Sequence, residues 1–528
     1  MVPPPNIVLV LADDLGFSDL GCYGGEIPTP ALDALGRGGV RLSQFYNTAR
    51  CSPSRASLLT GLHPHQTGIG VLTRPDLPHG YPGTLDPACA TIAERLGAHG
   101  WATWMSGKWH LAADTETPND SWPTRRGFDR FFGTLAGCGS YYDPQTLTRQ
   151  EAPATDAADD PDFYYTSAIA REAAGWIDEH TAQGSPAPYF LYLAFTAPHW
   201  PLHAPAEAIE AHRGRFDDGW EALRQKRLAR LVEEGIIACG TTLSDRDPSQ
   251  PAWADSPDRE WQARRMEAYA AQVQALDEGV RVVLDAVRRS GRADDTIVVF
   301  ISDNGASAEE LPIGTLEQFA DKDLVLRSGT RDGRPVQAGN DPSVAPGPED
   351  TYASYGVPWA NLSNAPLRKY KRWVHEGGIS TPFLMSWPAG ELAGGRIVHD
   401  PFQLVDVVPT LLDAAGVGDR AGTEGRSMLP ALRGGQAEAA PLYWEHVGNA
   451  AIRVGRWKLV RDHPGPWELY DIDADRTELD DRSGARPDLA AELAGQWQRW
   501  ADRVGVLDWH AMLTRYRAEG RPTEVAEE

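Results

Sequence analysis

Hydrophobic residues in this chain come in short unbroken runs. The first, in NIVLVLADD (6–14), ends at two aspartates. Runs of this kind suit strands buried on both faces of a mainly parallel sheet, where neither face meets water. PYFLYLAFTAPH (188–199) and DTIVVFISDNG (295–305) repeat the type, and WATWMSGKWH (101–110) and TPFLMSWP (381–388) are shorter versions. Helical patterns lie between them. TLDPACATIAERLGAHG (84–100) has apolar residues at helical spacing and a closing glycine, and a longer pattern covers 259–291. Strand and helix alternate, so the predicted fold class is α/β: a large mixed, mainly parallel sheet sandwiched by helices.

From about residue 435 the pattern changes. PLYWEHVGN, AAIRVGRWKLVRD and PWELYDID alternate apolar and polar residues and are joined by short turns. That alternation predicts an antiparallel sheet, and PDLAAELAGQWQRWADRVGV predicts an amphipathic helix beside it. Two domains are expected, 1–434 and a small α+β domain at 435–528. Within the first, 321–366 is rich in Gly, Pro, Asp and Ser and is expected to be a lid or binding loop.

Composition narrows the class of partner. With 528 residues, 41% of them hydrophobic, the chain has ample material for a core. A net charge of −24 argues against nucleic acid or an anionic membrane as the partner. No stretch approaches the ~20 apolar residues that span a bilayer. The apolar run before Asp13 lacks a basic flank and reads as a strand rather than a signal peptide, so a cytoplasmic location is expected. The sequons at Asn119 and Asn361 then have no consequence. The five cysteines (22, 51, 89, 138 and 239) are scattered, with no CxxC pair. This is neither a disulfide framework nor a zinc site, and it fits a reducing compartment.

The ends of the runs carry the candidate chemistry. In parallel sheets ligands sit beyond the carboxyl ends of the strands. Four runs end in polar residues: Asp13 and Asp14, Lys108 and His110, His199, and Asp303 and Asn304. If those strands are neighbours, the side chains converge. Four oxygen donors (Asp13, Asp14, Asp303, Asn304) suit a hard cation, Ca²⁺ or Mg²⁺, although DD and DNG are also common turn pairs. Packed carboxylates repel unless a cation neutralises them. Cys51 precedes Pro53 in CSPSRASLLTG, where proline favours a helix start and Gly61 a helix stop. Helix N-termini stabilise anions, and Arg55 lies one turn inside. The arrangement suits a nucleophile acting on an anionic ester; a cap-adjacent cysteine buried as a small hydrophobe is the plainer alternative. Lys108 and His110, two residues apart, share a face. His199 is bracketed by prolines, and Lys371 lies in LRKYKRWVHEGG.

Taken together and in order, these motifs resemble those of the type I sulfatases of the alkaline phosphatase superfamily. CSPSRASLLTG matches the signature Cys-x-Pro-Ser-Arg followed by Thr-Gly, and LADDLG, GKWHL, APHWP and SDNG match as well. APLRKYKRWVHEGGISTP resembles the segment with the family's lysine, and spacing from the paired glycines selects Lys371 over Lys369. The similarity runs over nearly the whole chain and is greatest to soluble bacterial arylsulfatases of Pseudomonas type.

The resemblance implies hydrolysis of aryl or alkyl sulfate esters. It implies that Cys51 is oxidised to Cα-formylglycine by a formylglycine-generating enzyme that reads Cys-x-Pro-x-Arg. It implies that Asp13, Asp14, Asp303, Asn304 and the modified residue 51 bind Ca²⁺, with Mg²⁺ as the other candidate. Lys108, Lys371 and His199 would neutralise the sulfate oxygens, His199 or Lys371 would protonate the leaving alcohol, His110 would act as base, and Arg55 would hold the geometry. The partners implied are a small-molecule sulfate ester and the maturation enzyme. Two other readings stand beside this one: a phosphonate or phosphate ester hydrolase using the same residue, and a non-catalytic sulfate-binding protein whose Cys51 stays a thiol. Tyr352, Tyr355 and Trp359 in 321–366 hint at an aromatic or apolar leaving group.

Overall fold

The structure, a computed structural model, describes residues 4–73, 81–314 and 327–518. The first part of the expected lid, 321–326, lies outside the described residues. Among the described residues the main sheet has ten strands. Its centre is parallel, in the order Thr296–Ser302, Asn6–Ala12, Tyr189–Ala194, Ala102–Gly107, Arg130–Thr134. Phe383–Ser386 joins antiparallel on one side, followed by Val40–Leu42 and Arg396–Val398; Leu147–Arg149 and Ala152–Pro153 close the other side. The sheet is therefore mixed and mainly parallel, as the runs predict.

The first strand shows why its sequence is apolar throughout. Val8, Val10 and Ala12 belong to one buried cluster, with Ile169 and Ile177 of helix Tyr165–Ala182 and Met266 and Val273 of helix Arg259–Arg289. Ile7, Leu9 and Leu11 point the other way, into a second cluster with Leu58 of helix Cys51–Thr60, Leu96 of Ile92–Ala98 and Leu411 of Val407–Ala414. Each such fully buried aliphatic side chain contributes about 1.5–3 kcal/mol relative to exposure. The sheet is thus sandwiched by helices.

The periodic pattern at 84–100 overstates its helix, which runs only Ile92–Ala98. Thr91 closes it with a capping box: its hydroxyl accepts from the Glu94 N–H, and the Glu94 carboxylate accepts from the Thr91 N–H. The box sets the start at Thr91 whatever the residues before it.

Strands Leu442–His446, Asn449–Val454, Trp457–Arg461 and Glu468–Asp471 form an antiparallel sheet, as their alternation predicts. Ala450, Ile452, Leu459 and Leu469 pack on Leu493, Trp497 and Trp500 of helix Pro487–Val504. The opposite face, where alternation puts the charges, is not in water. Lys458 and Arg453 are buried against the main body. Lys458 donates to Glu376 (2.8 Å) and pairs with Glu478 (2.9 Å), while Arg476 and Tyr46 also bond Glu376.

Candidate active site

Neighbouring parallel strands finish on one edge, and the segments leaving them are joined there. The Asp303 N–H donates to the Ala12 carbonyl (3.1 Å), Asp13 N–H to Ala197 (3.2 Å) and Lys108 N–H to Ala194 (2.8 Å). This stitching gathers the side chains that the run ends predict. Asp14 takes a positive φ of 66°, a region that aspartate enters more readily than most residues. The Asn304 amide donates to its Oδ1 (2.6 Å), and its own N–H donates to Asp303 Oδ1 (3.2 Å). Ser302, absent from the sequence expectation, accepts from the Leu15 N–H (3.0 Å) and fixes the turn after the aspartates. Gly305 follows Asn304 where the backbone of Gly377 crosses: a Cβ there would lie 1.8 Å from the Gly377 carbonyl oxygen.

Cys51 is the first residue of its helix, and Gly61 ends it at φ 71°. All ten helical residues are buried, so the N-terminus opens into the protein. Arg50 places no side-chain acceptor on the first turn, which leaves N–H groups directed at this point. The fully buried Arg55 donates to Asp303 Oδ2 (2.9 Å) and to the Lys108 carbonyl (2.8 Å), and lies 3.4 Å from Asp13. Lys108 Nζ donates to Asp13 Oδ2. Lys371 Nζ donates to Asp14 Oδ2 (2.9 Å). Lys369, the other lysine of its segment, turns away to Asp462 (3.4 Å). His110, at φ 55°, lies against the backbone at Gly137, and its buried Nδ1 has no partner. His199 Nδ1 meets the Trp200 carbonyl (2.6 Å), an acceptor, so Nδ1 carries the hydrogen; Nε2 faces Lys371 Nζ at 3.4 Å. Cys51 is within electrostatic reach of Arg50, Arg55 and Lys371. All ten residues expected at the site are therefore on this edge.

Charge and unpaired atoms say what the edge can hold. An added cation is not the only charge that lets these carboxylates coexist. Three chain cations, Arg55, Lys108 and Lys371, already stand against Asp13, Asp14 and Asp303. Yet the balance is uneven. Burial would raise Asp13, but Lys108, His199 and Arg55 together hold it well below the carboxylate range. Burial and then the Asp13 charge push Asp303 up to about 7. Asp13 Oδ1 and Asn304 Oδ1 are buried acceptors with no donor. Two orphan oxygens among three carboxylates fit a hard divalent cation. Asp13, Asp14 and His199 also bring donor atoms within 4.8 Å of one another. The imidazole is the poorer ligand, because its Nε2 faces an ammonium and a hard cation prefers oxygen. Burial, then Lys108 and Arg55, depress His110 well below its ordinary value, which favours the neutral imidazole.

A family model described as Sulfatase matches residues 5–417, which contain every residue of this edge. The chain belongs to the sulfatase family. A second model, described as N-sulphoglucosamine sulphohydrolase, C-terminal, matches residues 369–493 of the sulfatase. The chain is 34% identical over 448 residues to an arylsulfatase of Klebsiella aerogenes, covering 81% of this chain and 90% of that one. It is 32% identical over 552 residues to an uncharacterized sulfatase of Schizosaccharomyces pombe, covering 95% and 94%. The solved structure of Ps i-CgsB in complex with k-i-k-neocarrahexaose superposes with a TM-score of 0.68 at 24% identity, over 99% of both chains, and shares the fold. The protein is a type I sulfatase of the alkaline phosphatase superfamily and a sulfuric ester hydrolase.

Three aromatic residues of the expected lid do not line the site of this sulfatase. Trp359 is fully buried against Trp220 and Trp253, Tyr355 stacks on Tyr269 with centroids 4.3 Å apart, and Tyr352 packs on His203. All three are buried: Trp359 and Tyr355 pack on the helix residues Trp220 and Tyr269, and Tyr352 on the loop residue His203. Among the described residues no helix is long and apolar enough to cross a membrane.

Proposed function

We propose that the sulfatase hydrolyses small-molecule sulfate esters through residue 51 as Cα-formylglycine, with Ca²⁺ held by Asp13, Asp14, Asp303 and Asn304. The observation that carries the reading is the pair of orphan acceptors, Asp13 Oδ1 and Asn304 Oδ1, beside the N-terminus of the Cys51 helix. A bound divalent cation would supply two positive charges to an edge whose side chains otherwise balance, which suits an anionic ester. An aldehyde hydrate at residue 51 would supply one hydroxyl oxygen as nucleophile toward sulfur and a second hydroxyl whose deprotonation would expel sulfate and restore the aldehyde.

The remaining work falls to side chains. Lys108 and Lys371, held by Asp13 and Asp14, present ammonium groups to the sulfate oxygens as charge shifts onto them. Arg55 ties the Asp303 carboxylate to the Lys108 backbone, so the two strand ends keep one spacing. His110 takes a proton from residue 51 when sulfate is released. Between the two candidates for protonating the leaving alcohol, Lys371 is favoured. Burial lowers His199, which favours the neutral ring, and with its hydrogen on Nδ1, bonded to the Trp200 carbonyl, that ring offers a lone pair at Nε2. Burial lowers Lys371, but Asp14 and Glu309 outweigh it and hold the ammonium charged.

Mass analysis of a peptide spanning residue 51, from protein made with a formylglycine-generating enzyme, should show the aldehyde and its hydrate. Cys51→Ala should abolish turnover of 4-nitrophenyl sulfate. A protein that is thiol throughout and still turns over would refute the reading.

A further inference from the structure

Glu309 has no place in the sequence motifs, yet it sits among them. It lies on the loop after Asn304, its side chain 31% exposed at the mouth of the site. One carboxylate oxygen, Oε1, accepts from Arg50 (3.1 Å) and lies 3.9 Å from Lys371 Nζ; the other accepts from the Trp200 indole N–H. Its partners come from three separate segments. Arg50 immediately precedes residue 51, Trp200 immediately follows His199, and Lys371 reaches in from the segment before the paired glycines. The loop is anchored from behind as well: the Ser354 hydroxyl donates to the Glu309 carbonyl (2.6 Å), and the neighbouring Glu310 takes Arg265 (3.0 Å).

Lys371 therefore has a carboxylate on each side, Asp14 at 2.9 Å and Glu309 at 3.9 Å, with His199 Nε2 as a third neighbour. Asp14, at the strand end, is 2% exposed and Glu309 31%, so Glu309 stands on the more solvent-accessible side of Lys371. An ester reaching the buried edge from solvent would hold its organic part on that side. We infer that Glu309 is a positioning residue: clasped by Arg50 and Trp200, it draws the Lys371 ammonium outward, to where the bridging oxygen of the ester leaves. The inference rests on Lys371 as the proton donor. As an oxygen of residue 51 bonds to sulfur, the bond from sulfur to the bridging oxygen breaks and its electron pair passes to that oxygen. The bridging oxygen takes a proton from Lys371 Nζ, and Lys371 recovers one from solvent, matching the proton that the residue 51 hydroxyl gives up.

The consequence is a dependence on the leaving group. A poor leaving alcohol needs the proton more than a good one does, and a positioned acid contributes roughly 10²–10⁴-fold. Phenyl sulfate and 4-nitrophenyl sulfate supply the contrast, with kcat/KM measured for the fully processed enzyme. Glu309→Gln is expected to lose about 30-fold on phenyl sulfate and about 3-fold on 4-nitrophenyl sulfate. Glu309→Asp should recover part of the phenyl sulfate loss. Trp200→Phe, which keeps a ring and removes the indole donor, should show the same pattern more weakly, and it serves if Glu309→Gln does not fold. Equal losses on both esters, or none, overturn the inference. Lys371→Met in the same series separates the two readings. A steep leaving-group dependence there, with equal losses in Glu309→Gln, removes the clasp alone. No dependence in either variant removes Lys371 as donor, and the clasp with it.

Discussion

Two of the buried charge clusters among the described residues differ in how their atoms are paired. Under the C-terminal sheet, each carboxylate oxygen of Glu376 and Glu478 is within 3.0 Å of Lys458, Arg476, Tyr46 or a backbone N–H. At the edge of the main sheet, Asp13 Oδ1 and Asn304 Oδ1 have no donor, and Asp303 is held near 7. The first cluster joins the C-terminal sheet to the main body, and its one oxygen without a hydrogen bond, Glu478 Oε1, still has the Lys458 ammonium at 2.9 Å. The second is built with open valences, at a cost to folding, and so marks where a further partner belongs. Burial of charge alone does not separate structure from function; what sets the edge apart is two buried acceptor oxygens with neither a donor nor a chain cation on them.

Substitutions can break this contrast. The largest effect is expected from Asp303→Asn. The folded value of Asp303 stands above its unfolded value of 3.8, so the native state binds more protons between 3.8 and about 7. Its ionisation therefore costs stability as pH rises through that window. Removing the charge should cut kcat/KM on 4-nitrophenyl sulfate by roughly 10³-fold or more. In chelator at pH 8, calorimetry should find Tm unchanged or raised. A clear fall in Tm would mean that the two clusters are alike.

Lys458→Met should behave in the opposite way. It leaves Glu376 and Glu478 buried without their ammonium, a loss of about 3–5 kcal/mol in denaturant unfolding. Adding Glu376→Gln should return part of that loss, since a neutral pair replaces an orphaned charge. If the double variant is as unstable as the sum of the singles, the pairing carries no coupling.

The smallest effect is a slope. Burial would raise Glu376, but Lys458 and Arg476 bring it down to about 2, below its ordinary 4.5. Between those values the unfolded chain binds more protons. The stabilisation is therefore present above pH 4.5 and is lost as pH falls toward 2. Glu376→Gln should flatten the dependence of Tm on pH in that window. An unchanged slope would show that other carboxylates set it.

Much of the site was legible because its residues stand at the ends of runs that declare themselves locally. Asp13, Lys108, His199 and Asp303 follow strands that the apolar pattern marks, and parallel order brings those ends together without further information. Glu309 was not legible. It belongs to no periodic pattern, and only the approach of Arg50 and Trp200, 259 and 109 residues away in sequence, gives it a role. Its signal was slight: a carboxylate five residues beyond Asn304.

The same distinction governs the C-terminal sheet. Alternation determined that 442–471 would be antiparallel strands, because a period of two is a property of each strand alone. Arg453 and Lys458 pair across that sheet and so share a face. Which surface that face meets depends on how two bodies dock, and docking placed Glu376 opposite Lys458. The sequence by itself determined the fold class, the family and the ten residues of the edge, since each is written in local pattern and motif. The tertiary structure decided which charges are paired, which oxygens are left open, and that Tyr352, Tyr355 and Trp359 pack in the core. Pairing and burial are relations between segments hundreds of residues apart, and no local pattern encodes them.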